Sequence, residues 1–294
     1  MTTRTMPALP LRMLVSFLAI PITLTIVALL FGEGYVQPTF FPELALTDTR
    51  MPLILAGSLL MGVLIAIIYP AFHIDVAHYW FRNSLSVAVP FGLLVFFATH
   101  IVQAGYMLFP TTGWLLEGLY DSLAPMVAIV ALSWLDHRHS RQLDLVASPT
   151  GETTVTYPSL LTRFLMGALV TAFSMMAVAG LIGDFLQAIY TAEFEPEAEP
   201  FELLITGWAL MGFILAYLYP RFGIPTGEGW LPHALKIAVP IGLTVFLATH
   251  TIQAGYIRIS GLGWVLQGLH DSLVPICTIV ALAWLTNRQN RDDE

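Results

Sequence analysis

Apolar residues in this chain do not alternate, and they are not confined to one side of a helical wheel. They run nearly unbroken for the width of a membrane. Eight such windows can be read, Leu11–Phe31, Pro52–Tyr69, Ser84–Phe109, Gly113–Leu135, Leu160–Gly183, Phe201–Tyr219, Leu235–Ile259 and Gly263–Leu285. Each is long enough to cross a hydrocarbon layer of about 30 Å as a helix. Lipid offers no partner for a free N–H or C=O, so these windows predict helices and not an open sheet. The expected fold is an all-α integral membrane protein with eight transmembrane helices.

The polar positions inside the apolar runs are written twice. Ser84–Arg138 aligns without a gap on Ala234–Arg288 at a constant offset of 150, with 31 of 55 positions identical. Both copies carry A-T-H-x-x-Q-A-G-Y, then G-W-x-L-x-G-L-x-D-S-L-x-P. The pattern predicts two homologous four-helix units, residues 1–138 and 159–294, joined by a cytoplasmic linker over 139–158 that contains Ser148-Pro149-Thr150-Gly151. Four crossings per unit make both units enter the membrane in the same direction, so a pseudo-twofold axis along the membrane normal is expected. Arg12–Gly32 and Arg163–Gly183 share only 7 of 21 positions. The first helix of each unit is therefore expected at the periphery, with the hairpins of the third and fourth helices more constrained.

Composition agrees with the class: 56% hydrophobic and 11% charged residues, against roughly 25% charged in soluble domains. Of the twelve Lys and Arg, ten fall on the side of the amino terminus and only Arg50 and Arg258 on the other. By the positive-inside bias both termini are expected in the cytoplasm of a multi-pass protein of the cell membrane, the inner membrane where a cell has two. The net charge of -8 comes mostly from the far-side loops, with Glu33, Glu43 and Asp48 in one and Glu193, Glu195, Glu197, Glu199 and Glu202 in the other. It is not read as a nucleic-acid signal. The partner implied is the lipid bilayer, and a homo-oligomer or a partner membrane subunit is left open. Although Arg4 and Arg12 precede the first apolar run, no small-x-small cleavage site follows, so that run is kept as a helix. A single cysteine, Cys277, rules out an intrachain disulfide.

Ionisable and amide side chains are costly in a membrane and mark function by default. The candidates are His100, Gln103, Asp121 and Ser122, with their counterparts His250, Gln253, Asp271 and Ser272. At ~1.5 Å per residue, His100 and Asp121 both sit roughly 14 Å below the hairpin turn, and Gln103 shares a helix face with His100. Trp114, Gly118, Asp121, Ser122 and Pro125 form one stripe, repeated as Trp264, Gly268, Asp271, Ser272 and Pro275. Pro125 and Pro275 are expected to kink their helices beside the aspartates. Ala88 with Gly92, and Ala238 with Gly242, are expected to let helices approach closely. His270 stands opposite Tyr120, so the units need not be chemically equivalent. His73, His78, His137, His139 and His233 are read as solvated loop residues.

Three functional readings follow. The first is a transporter or channel for protons, cations or a small polar solute, using all eight candidates as ligand or pathway residues. The second is cofactor handling, with His100 and His250 as ligands to a haem or pigment, or His100, His250, Asp121 and Asp271 around a divalent metal. The third is an accessory subunit in which His100 bonds Asp121 or Gln103 within its own hairpin and the second unit does the same independently. The chain carries no G-x-S-x-G or S-x-x-K motif in the membrane segments, so hydrolytic chemistry has little support.

Overall fold

The computed structural model describes residues 6–31, 50–106, 111–142, 155–190, 201–257 and 261–292. Most of the acidic far-side loop residues and the Ser148–Gly151 stretch of the linker lie outside the described residues. Eight described helices are long and apolar enough to cross a membrane: α1 (Leu9–Phe31), α2 (Met51–Phe72), α3 (Trp80–Gly105), α4 (Thr111–Ser140), α5 (Leu160–Ala177), α6 (Glu202–Phe222), α7 (Trp230–Gln253) and α8 (Gly261–Arg291). The regular structure of the described residues is helical throughout. This is a multi-pass membrane protein in a lipid bilayer environment.

Burial sorts the helices. In α1 and α5 only 17% of the spanning window is buried, whereas 67% is buried in α3. The outward faces of α1 and α5 carry Leu14, Leu18 and Ile22, and Leu165, Leu169 and Phe173, all exposed, as lipid-facing positions should be. The core lies among α2, α3, α6 and α7, where Phe72, Phe91, Phe96, Phe222 and Phe246 are almost fully buried.

Lipid tails are as apolar as leucine, so helix association depends on close packing more than on escape from water. Glycine supplies that closeness where the halves meet. A Cβ on Gly57 of α2 would fall 2.7 Å from the Ile252 backbone in α7, and one on Gly207 of α6 would fall 2.6 Å from Val102 in α3. Each half thus presses a glycine of its second helix against the third helix of the other half.

Proline shapes the end of the bundle where α2 turns into α3. Pro70 has no N–H, which leaves the carbonyl four residues earlier, that of Ala66, without its helical donor. The Arg12 Nη1 donates to that carbonyl at 3.1 Å. The arrangement recurs at Pro220, where Arg163 Nη1 donates to the Ala216 carbonyl at 2.9 Å. Here two arginines that the charge pattern placed at the membrane face instead fasten a peripheral helix to an inner one.

Pro125 and Pro275 interrupt their helices as expected, with the break at Ser122 and Ser272. The histidines near the end of α4 depart from expectation. His137 and His139 are helical, and the His137 Nδ1–H donates to the Val76 carbonyl at 2.7 Å while its ring stacks on Trp80. The helical phase of the fourth run simply continues past Arg138 to Gln142, into the stretch read as linker.

Candidate functional site

The site is built on a repeated local irregularity. In α3, residues Leu93–Ala98 form a π-helical segment, and in α7 Leu243–Ala248 do the same. Such segments often occur at functional positions because they rephase the side chains that follow. Directly after each comes Thr-His. The carbonyl of Phe96 accepts from the Thr99 hydroxyl at 2.7 Å and from the His100 ring at 2.8 Å. The carbonyl of Phe246 accepts from Thr249 and from the His250 ring, both at 2.9 Å. A carbonyl only accepts, so each imidazole carries its hydrogen on Nδ1 and presents a bare Nε2 when neutral.

Those two Nε2 atoms face the opposite half. Gln103 Nε2 donates to Gln253 Oε1 at 2.9 Å, and Gln253 Nε2 donates back to Gln103 Oε1 at 3.0 Å. The second N–H of each amide is directed at the other half's histidine, with Gln103 to His250 and Gln253 to His100 both at 3.4 Å. All four side chains are 0% exposed. The pairing of His100 with Asp121 or Gln103 inside one hairpin, each unit acting independently, is therefore not what the structure has: the bonds cross between halves.

Packing holds this bridge in place. The His100 ring lies 4.3 Å from that of Trp114 at 33°, and His250 lies 4.3 Å from Trp264 at the same angle. Trp264 also donates its indole N–H to Gln253 Oε1 at 3.1 Å. A Cβ on Gly118 would come within 2.7 Å of His100, and one on Gly268 within 2.7 Å of His250, so glycine there is what lets the imidazoles lie against the fourth helices. The large apolar core lies on one side of the bridge. On the other a small cluster of Ala104, Trp114, Ala254, Ile257 and Trp264 closes the hairpin end.

The aspartates differ between halves. Asp271 accepts from Gln267 Nε2 at 2.7 Å on both oxygens and from His270 Nδ1 at 2.9 Å, and lies 4.0 Å from His250 Nε2. Asp121 stands one turn after Glu117, and the two interact electrostatically. Tyr256, from the other half, faces both. The buried Glu117 carboxyl and the buried Tyr256 hydroxyl lie within hydrogen-bonding reach of each other. Ser122 and Ser272 are near but turned to their own backbone, donating to the carbonyls of Gly118 and Gly268 at 2.6 and 2.7 Å.

Sequence reasoning missed Glu117 and Tyr256. The signal available for Glu117 was its i, i+4 spacing to Asp121 on one helix face. Among the described residues, no group of three or more His, Cys, Asp or Glu is assembled as a metal site would need. For His100 or His250 to ligate a haem or pigment, the amide facing its Nε2 would have to move away. Compared with protein families, curated proteins and solved structures, the chain has no match in any of the three.

Proposed function

We propose that this protein moves protons, cations or a small polar solute across the cell membrane, with both termini cytoplasmic. In this reading two homologous four-helix units, related by a pseudo-twofold axis along the membrane normal, meet at a site formed by His100, Gln103, Asp121, His250, Gln253 and Asp271. One observation carries it: a fully buried amide and imidazole bridge that spans the two halves inside an apolar bundle. Polar groups are expensive there, and the interface between repeats is where membrane carriers place their sites. A purely structural bridge would not need a carboxyl 4.0 Å from the His250 ring.

The test is flux. Purified protein in liposomes, driven by a potassium diffusion potential and read by an entrapped pH dye, should take up protons faster than empty vesicles. Asp121→Asn keeps shape while removing the ionisable group, so its flux should fall at least tenfold while insertion and folding persist. Native protein no faster than empty vesicles, for protons and for a panel of monovalent and divalent cations and small polar solutes, would end this reading.

A further inference from the structure

The two aspartates sit in opposite electrostatic surroundings. Asp271 has an amide donor across both oxygens, with His270 at 2.9 Å and His250 at 4.0 Å. Asp121 has a second carboxyl one turn away instead, at 8% exposure each. Tyr256, in the turn that follows α7, faces that pair, and His100 of α3 packs on Gly118, which stands between the two acids in sequence. Of these, only His100 is able to carry positive charge, and its ring is already engaged with Phe96 and Gln253. Two carboxyls one helical turn apart in a medium of low dielectric are coupled, so a proton bound there belongs to the pair. The buried Glu117 carboxyl and Tyr256 hydroxyl face each other within hydrogen-bonding reach at the same spot.

We propose that Glu117, Asp121 and Tyr256 form a proton-binding site in which the two carboxyls share one proton, making the proton the ion this protein moves or couples to. Tyr256 supplies the hydroxyl that hands the proton on. Only one half is built this way, because Gln267 stands where Glu117 would be. The identity of the ion rests on the transport reading above, while the shared proton does not.

Infrared difference spectroscopy of the liposome-reconstituted protein, acid minus alkaline, tests it through the carbonyl stretch of a protonated carboxyl, identified by its shift in deuterated water. The native protein should show one such band, lost in Glu117→Gln and in Asp121→Asn, displaced in Tyr256→Phe and retained in Asp271→Asn. Glu117→Gln places in α4 the residue that α8 already tolerates at Gln267, and Tyr256→Phe removes only an oxygen, so folding should survive in both. Absence of the band, or its persistence unchanged in either Glu117→Gln or Asp121→Asn, would overturn the shared proton. A band with the expected behaviour but no flux would remove the transport reading and leave the proton site standing. Flux without the band would do the reverse.

Discussion

Set side by side, the two halves agree in what holds them together and differ in where they keep charge. The bridge residues, the tryptophans on the imidazoles, the glycines beneath them and the arginine that meets an orphaned carbonyl are all present twice. Among the positions that differ, several change an ionisable group, including Glu117 against Gln267, Tyr120 against His270, and Asp136 against Thr286. Arg12 interacts electrostatically with buried Asp136, which also accepts from the Tyr69 hydroxyl at 3.2 Å. Arg163 meets the hydroxyl-bearing Tyr157 and Tyr219 at the matching place. The same contacts recur in the two halves with different charges around them, and the extra carboxyls, Glu117 and Asp136, both belong to α4.

The sharpest way to separate the halves is to remove the two arginines in turn. Arg12→Met should destabilise by about 3 kcal/mol, because it removes both the positive charge near buried Asp136 and the donor to the Ala66 carbonyl. Arg163→Met should cost only about 1–2 kcal/mol, the value of an unsatisfied carbonyl. Unfolding in mixed micelles measures both, and equal losses would mean that Asp136 does not depend on Arg12. Cutting the bridge should come next. Gln253→Ala orphans the Gln103 amide and the Trp264 N–H together, and about 2–3 kcal/mol is expected from the same assay. Gly118→Ala pushes a methyl against His100 and should cost about 1–3 kcal/mol, and Gly268→Ala should match it if the halves pack alike. The smallest effect is a coupling: Thr286→Asp should be better tolerated with Arg163 present than in Arg163→Met, by about 1 kcal/mol in a double-mutant cycle.

Much of the membrane architecture was legible because lipid imposes a single rule on the backbone, and an apolar run of the right length satisfies it only as a helix. The peripheral place of α1 and α5 was legible too, since lipid-facing side chains need only be apolar and so diverge. The partners of His100 were not. Spacing places Gln103 on its face, but nothing in spacing says that Gln253 of the other half will supply the amide. Glu117 escaped for a related reason: attention to positions that repeat passes over a carboxyl whose counterpart is Gln267, although the difference between halves lies there. His137 was misjudged because a charged, polar end of an apolar run looks like a loop when in fact the helix continues into it.

Each π-helical segment contains one residue more than an α-helix of the same rise, and that surplus has a consequence for mutagenesis. Deleting a single residue within Leu93–Ala98 would let α3 relax to ordinary α geometry with its two flanks still in register, whereas deleting one outside that segment would turn everything beyond it by about 100°. The first deletion would leave His100 and Gln103 on the bridge, while the second, placed within Trp80–Gly92, would swing them off it with no side chain of the bridge chemically altered. The polar centre is thus addressed by chain length as much as by residue identity. A matched deletion in α7 would tell whether the two addresses are read together.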